Sequence, residues 1–410
     1  FKKMKIEKLV PLWLVGFYPL ALILGTFISE FINILLILLF IFFSIKNKKS
    51  IKFNDPIIIF LIFLWIYLLI NLFFSIDTQL SFNRSIFFIK YPLLIIAIYY
   101  FLTHNSENIK IIFKIWLITL TITIIDLYLQ FFLGQNILGF KSPWDARLSG
   151  FFNEELKVAH LLISFFLPAL AFYLSKHPKK IFLYFLFIVY FIILILTNER
   201  ANIIRGSLII FFFLLFLPYV KAKFKILIFS IFIGIFAGSI FFIETVNQRF
   251  VKEIQNMNKN IEEQKLLKFI IYSNYGPHYL TSIEIFKKYK FFGSGIKTFR
   301  KACNEVSIDK YYQKDKTIRI GCSTHPHQYY FELLSELGII GFVIFILFFF
   351  YVLYRVINSY IKSKNLVLLS VGLFFATQLI PLLPTGSFFT SFSATIFFIN
   401  LSLIFYYIKK

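Results

Sequence analysis

Apolar residues run along this chain in unbroken stretches of roughly 20, long enough for a helix to cross about 30 Å of hydrocarbon, with short polar connections between them. The stretches do not alternate polar with apolar, so a transmembrane barrel is excluded. The pattern predicts spans at 9–28, 30–45, 56–76, 84–103, 109–133, 156–175, 180–197, 201–219, 224–243, 330–357, 365–384 and 387–408. This gives an all-α polytopic membrane protein of about twelve transmembrane helices, with both termini on one side. One polar segment is far longer than the others, 244–329, and falls between the ninth and tenth helices. The expected division is helices one to nine in 1–243, a large loop with short helices in 244–329, and helices ten to twelve in 330–410.

Charge orients the bundle. Twenty lysines and arginines, among them Lys46, Lys110, Lys176, Lys221, Arg355 and Lys362, flank the spans on the side of the termini; only six occupy the short connections opposite. Basic residues stay on the cytoplasmic side, so both termini are expected there and the long loop outside. The first span follows a basic run, like a signal peptide. Its apolar stretch is too long for one, however, and no small-residue cleavage site follows, so it is expected to be retained.

Composition agrees. Apolar residues make up 59% of the chain and charged ones 15%, against about 25% charged in an ordinary soluble domain. The net charge of +23 does not indicate nucleic acid, because it sits on the connections of a membrane bundle. The long loop carries 15 Lys/Arg and 8 Asp/Glu. That excess suits either an anionic ligand such as a lipid phosphate or simple solvation.

Candidate chemistry lies where polar residues meet the spans. Ionisable groups at a membrane boundary are costly and point to function. The last part of the loop runs Cys322-Ser-Thr-His325-Pro-His327-Gln-Tyr-Tyr-Phe-Glu332 into the tenth span. With a helix starting near His327, its imidazole sits at the outer mouth, suited to general-base work on a hydroxyl. A His-x-His zinc site completed by His278, and a purely structural pair, are the alternatives. Cys303 and Cys322 are the only cysteines, and outside the cell they are expected to form a disulfide. At the turn between the seventh and eighth spans, Asn198 is expected to cap a helix that holds Arg200 in its first turn, where an arginine and free N–H groups bind phosphate. Arg147 sits at the start of the sixth span. Within the loop, residues 281–289 read as an amphipathic helix with Ile283 and Phe286 on one face, and Phe291-Phe-Gly-Ser-Gly295 as a glycine-permitted turn.

Taken together, these segments resemble the O-antigen ligase and polymerase family of bacterial envelope glycosyltransferases. His327-Gln-Tyr-Tyr-Phe331, then Glu332 and Glu336-Leu-Gly338-Ile-Ile-Gly341, is similar to the family's His-Asn-x-Tyr-Leu run with its acidic residue and Glu-x-Gly-x-x-Gly. Thr197-Asn-Glu-Arg200-Ala resembles the Thr-Gly-Ser-Arg-x-Ala turn, and Arg147-Leu-Ser-Gly-Phe-Phe152 the Arg-x-x-Gly-x-Phe start of a span. Residues 285–295 resemble the amphipathic stretch that ends in Pro-x-x-Gly-x-Gly.

The resemblance implies a metal-independent transferase, without cofactor, in the bacterial inner membrane with its site on the periplasmic face. Its donor is a glycan on undecaprenyl diphosphate, and its acceptor is lipid A-core for a ligase or a growing carrier-linked glycan for a polymerase. His327 then activates the acceptor hydroxyl, helped by His325, and Arg200 holds the diphosphate with Arg147. The family places a second arginine in the large loop, where this chain has Tyr275-Gly-Pro-His278. Either His278 substitutes, or Lys297 or Arg300 reaches in. A lipid-linked glycan flippase is the reading from another class, but no internal repeat of the kind transporters show is evident.

Overall fold

The computed structural model describes residues 9–47, 54–142, 147–178, 181–218, 220–255, 273–311 and 321–410. Basic positions counted above at 2–8, 48–53, 179–180, 256–272 and 312–320 lie outside the described residues.

Among the described residues the regular structure is helical, apart from one isolated bridge between Gln135 and Lys141. The first helices are α1 (Val10–Gly16), α2 (Tyr18–Leu24), α3 (Thr26–Lys46), α4 (Pro56–Leu72), α5 (Thr78–Ile86), α6 (Lys90–His104) and α7 (Lys110–Leu133). There follow α8 (Val158–Lys176), α9 (Ile181–Leu196), α10 (Arg200–Phe216), α11 (Ala222–Phe242) and α12 (Glu244–Asn247). The loop contributes α13 (Gly276–Lys288) and α14 (Phe299–Ala302), and the chain finishes with α15 (Tyr329–Ser363), α16 (Leu366–Thr377) and α17 (Ser391–Lys409).

Among the described residues, seven helical stretches are long and apolar enough to cross a membrane; Pro56–Leu72, Ile181–Leu196 and Leu366–Thr377 are apolar but shorter. The protein is therefore a multi-pass membrane protein. A helix accompanies every apolar run read from the sequence, but the first run departs from a single span. It is broken into α1 and α2 at Phe17, with a proline in the first turn of each helix. Proline there has no N–H to continue a preceding helix. Gly25, at φ 133°, then separates α2 from α3.

Local signals set several other boundaries. Asp55 accepts from Ile57 N at 2.9 Å, Asp77 from Leu80 N at 3.0 Å and Asn365 from Leu368 N at 2.9 Å. Each satisfies a helix-start N–H that would otherwise lack a partner.

Burial divides the spans into layers. Nearly all residues of Ser391–Lys409 and most of Val158–Lys176 are buried, whereas in Ala222–Phe242 the buried residues are Phe232 and Ser239. So α17 and α8 form the centre, while α11 stands at the margin. At one end of the bundle Asp55 holds Lys409 at 2.7 Å and Arg355 at 3.8 Å. The functional candidates gather at the other.

Candidate functional site

Polar side chains near the end of α7 shape the connection that carries Arg147. Gln130 Oε1 accepts from Ser149 N at 3.0 Å and Gly150 N at 2.8 Å, while Asp126 accepts from Ile137 N and Asn136 Nδ2. Arg147 is half-buried. Burial and the Arg249 guanidinium hold its pKa below the usual arginine range, with Tyr275, Glu199 and Glu253 working the other way.

The turn between α9 and α10 departs from the expected cap. Asn198 has φ 58°, and its Nδ2 donates to Thr245 O at 2.9 Å. The capping position falls instead on Glu199, and Arg200 opens α10. Asn198 is drawn out of that role because it ties the turn to α12. Arg200 donates to Arg249 O at 3.2 Å and to Glu253 Oε2 at 2.8 Å, and Arg249 donates to the same carboxylate at 2.7 Å. Arg249 thus acts on both Arg147 and Arg200, and the described carboxylates that face these three arginines are Glu253 and, towards Arg147, Glu199. A cluster with that imbalance has electrostatic capacity for an anion. Arg205 is different: it is 2% exposed and donates to Asn202 Oδ1 and to the carbonyls of Leu383 and Pro384.

The histidines converge from two segments. His278 is on α13, its Nδ1 at 3.0 Å from Gly321 O. Its ring centroid lies 5.3 Å from that of His327, which in turn lies 4.1 Å from His325. His327 has φ 59°, and its Nε2 is 3.2 Å from Ser323 Oγ. The helix begins at Tyr329 rather than near His327, because Gln328 caps it by accepting from Tyr330 N at 2.6 Å and Phe331 N at 3.3 Å. His327 therefore belongs to the loop, held by its carbonyl, which accepts from Thr385 N at 2.7 Å. Burial first, then His278, pushes its pKa down to about 4; burial and then His327 push His325 down to about 3. Both are neutral at pH 7, the form that accepts a proton. No cluster of three or more metal-ligating side chains with suitable geometry occurs among the described residues. His325 Nε2, Gln328 Nε2 and Thr385 Oγ1 are buried with no hydrogen-bond partner among the described residues, unusual for polar atoms unless a ligand or water meets them.

Tyr275 connects the two groups. Its ring lies 5.5 Å from that of His327, and its phenol acts electrostatically on both Arg147 and Arg200.

Lys297 and Arg300 part company. Lys297 is buried, with φ 65°, and its Nζ donates to Ser387 Oγ at 2.7 Å. Burial holds its pKa below the usual lysine range against the pull of Glu332 and Glu336. Glu336 accepts from Lys297 N and Phe299 N, and Glu332 from Phe388 N and Ser387 Oγ. Lys297 thus helps to brace the helix behind His327. Arg300 is exposed, and its charge reaches His325 and Lys297.

The glycine motifs explain one another. Gly338, at φ 65° and ψ −170°, breaks α15, and residues 290–295 run along the break. Ser294 N donates to Ser335 O, Gly295 N to Glu336 O and Ile339 N to Lys290 O, each at 2.9 Å. From α4, Tyr67 donates to Leu337 O and Asn71 to Phe292 O, both at 2.5 Å. The disulfide Cys303–Cys322 links α14's end to the histidine segment. In α13 the buried positions include Tyr279, Leu280, Ser282 and Ile285, while Ile283 and Phe286 are half-buried. The helix begins five residues earlier than expected, at Gly276, with Pro277 in its first turn, and its inner face meets α15, where Tyr279 stacks on Phe331.

Arg249 was missed in the sequence. Its signal is the i, i+4 pair with Glu253 just beyond the ninth span, which reads as an ordinary surface ion pair until Arg200 is seen beside it.

Fold and site together define a multi-pass helical membrane protein with an arginine cluster and a histidine cluster gathered at one end of its core. Residues 185–346 match the family model described as O-antigen ligase, a family of enzymes. The match takes in Arg200, Arg249, His278, Lys297, Arg300, His325 and His327 and leaves Arg147 outside. Comparison with curated proteins returned no match.

Proposed function

We propose that the protein is an inner-membrane glycosyltransferase that moves a glycan from undecaprenyl diphosphate to a sugar hydroxyl, acting as an O-antigen ligase on lipid A-core. The observation that carries the reading is the meeting of the arginine cluster and His327 at Tyr275. The site faces the periplasm in this scheme, and both termini are cytoplasmic.

The donor diphosphate sits on Arg200, Arg147 and Arg249, releasing Glu253 from its pairs. Bidentate guanidinium contacts suit phosphate oxygens. The acceptor hydroxyl lies against His327, whose neutral imidazole takes its proton as the oxygen attacks the anomeric carbon. The new glycosidic C–O bond forms as the bond to the diphosphate breaks. The leaving group departs as an anion that the arginines stabilise, so it needs neither a protonating acid nor a metal. His325, Gln328 and Thr385 have hydrogen-bonding atoms to offer the acceptor's hydroxyls. His278 positions His327; Lys297 acts behind it, and Arg300 adds charge.

Polymerase action is the same chemistry with a carrier-linked acceptor. The envelope glycan of a deletion strain separates the two. Free lipid A-core with carrier-linked polymer accumulating identifies a ligase; core bearing a single repeat unit identifies a polymerase. An unchanged profile would overturn both.

A further inference from the structure

Glu253 stands where an anion belongs. Arg200 Nη2 donates to its Oε2 at 2.8 Å, and Arg249 Nη1 donates to Oε1 at 2.7 Å and to Oε2 at 3.0 Å. Two guanidinium groups thus share one carboxylate, an arrangement that phosphate oxygens also suit. The charge of Glu253 reaches Arg147 as well. The chain therefore fills its own anion site with a side chain.

The partners in this contact are not equally fixed. The side chain of Arg249 is 15% exposed and that of Arg200 26%, whereas that of Glu253 is 37% exposed. The arginines are also linked through backbone, by Arg200 Nη1 to Arg249 O at 3.2 Å and by Asn198 Nδ2 to Thr245 O at 2.9 Å. Among the described residues the Glu253 carboxylate accepts hydrogen bonds from these two arginines alone. Glu199 differs, because Asn202 Nδ2 holds its Oε2 at 2.7 Å within the first turn of the same helix. Ion pairs open to water are weak and exchange readily, so Glu253 can swing outward while the arginines stay.

The carboxylate also leaves the site incompletely satisfied. Arg249 Nε is buried with no hydrogen-bond partner among the described residues, a donor that an anion with more oxygens could engage. Arg249 lies in a π-helical turn, Gln248–Lys252, that leads directly into Glu253. Such turns are rare and frequent at functional sites.

The chemistry makes an exchange of anions necessary. In the donor both phosphates are esterified. In the product the terminal phosphate has lost its sugar and gains a further ionisable oxygen, hence more negative charge. Arginines that stabilise the leaving group therefore hold the product more tightly than the donor, and the site would stall after one turnover.

We propose that Glu253 clears the site: it yields the arginines to the donor diphosphate and, after transfer, competes for them with the carrier diphosphate so that this product leaves. The proposal rests on the transferase reading above. Glu253 makes and breaks no covalent bond. Its place is in product release, so its loss shows in kcat and not in the transfer step.

The test uses the full chain, with inorganic pyrophosphate as the binding probe and a glycan diphosphate on undecaprenol as the donor. Glu253→Gln keeps the size and removes the charge. It should bind pyrophosphate about tenfold more tightly than wild type in calorimetry, and Arg200→Ala should abolish that binding. In turnover, Glu253→Gln should lower kcat about tenfold and lower the donor KM, with a burst of product in the first turnover at the wild-type rate. Glu253→Asp keeps the charge but shortens its reach. It should shift each quantity in the same direction by less, and it decides the matter if Glu253→Gln does not fold. A carboxylate that merely organises the arginines predicts the opposite sign, with weaker pyrophosphate binding and a slower first turnover. That result, an unchanged kcat, or no pyrophosphate binding in either protein would overturn the proposal. Absence of transfer by wild type would instead overturn the transferase reading, and the pyrophosphate titration would still decide whether Glu253 competes for the site.

Discussion

Gly338→Ala should cost more than its single methyl group suggests. At φ 65° and ψ −170° the residue occupies backbone space essentially reserved for glycine, and a side chain there costs about 1–3 kcal/mol. The added Cβ would also lie 2.3 Å from Phe291 O and 2.5 Å from Gly293 N. Relief requires residues 290–295 to move away from α15, which weakens the hydrogen bonds from Ser294 N to Ser335 O and from Ile339 N to Lys290 O. At about 0.5–1.5 kcal/mol for each bond, the total comes to roughly 2–6 kcal/mol. Because those segments also hold Lys297 against Glu336, transfer activity should fall with stability. Thermal unfolding of the purified protein in detergent measures the effect. Gly234→Ala is the reference: it has open space and sits inside a helix, where alanine is favoured over glycine by about 1 kcal/mol. It should unfold at or above the wild-type temperature. Gly293→Ala would strike the same contact from the other side, with its Cβ 2.4 Å from Glu336 C. The double variant should therefore cost less than the two singles together. A Gly338→Ala protein with wild-type unfolding temperature and activity would refute the reasoning.

Four further outcomes are expected. Arg200→Ala should abolish donor binding in a ligand-retention assay while the protein remains inserted, and Arg200→Lys should recover little, because lysine lacks the bidentate fork; near-normal turnover in either variant would reject the diphosphate role. His327→Ala should slow transfer by about 10²–10⁴-fold with donor affinity kept, His325→Ala should cost less, and EDTA should change neither; equal losses in both with EDTA sensitivity would indicate a metal site. With the free-enzyme pKa of His327 near 4, kcat/KM should stay level from neutral pH downwards and fall only around pH 4, so a midpoint near 6.5 would contradict its burial. The same depression means these histidines are unprotonated in the folded chain, and their contribution to stability is complete above about pH 6.5 and declines as pH falls towards 4. Cys303→Ser should lower stability by about 3 kcal/mol on a loop-closure estimate, read as a lower unfolding temperature that reducing agent reproduces in wild type.

Much of this architecture was legible because bilayer thickness writes itself into the length of apolar runs. The site was legible where one residue type carried the message: Arg200 at a helix start, histidines at a span's mouth, two cysteines in one loop. Errors arose where a partner distant in sequence took over a local role. Asn198 is a good capping residue, yet Thr245 claims its amide. His327 would suit a helix start, but Gln328 caps that helix and the carbonyl of His327 is engaged by Thr385. Ile283 and Phe286 share a half-buried face of α13, whereas the residue that stacks against α15 is Tyr279, whose partner Phe331 is distant in sequence. Arg249 was overlooked for the same reason, since nothing near it in sequence reveals Arg200.

The burial of α17 has a consequence for biogenesis. The helix α17, synthesised after the other sixteen, supplies the centre of the bundle with nearly all of its residues buried, and the segment just before it anchors His327 through Thr385 and Glu332 through Ser387 and Phe388. Helices inserted earlier must therefore wait in the bilayer around a gap until Ser391–Lys409 arrives. A nascent chain halted before that point would carry every arginine and histidine of the site without the wall that sets them in place. Such a chain would be an inactive, loosely packed substrate for membrane proteolysis, so synthesis to the final span acts as a checkpoint on activity.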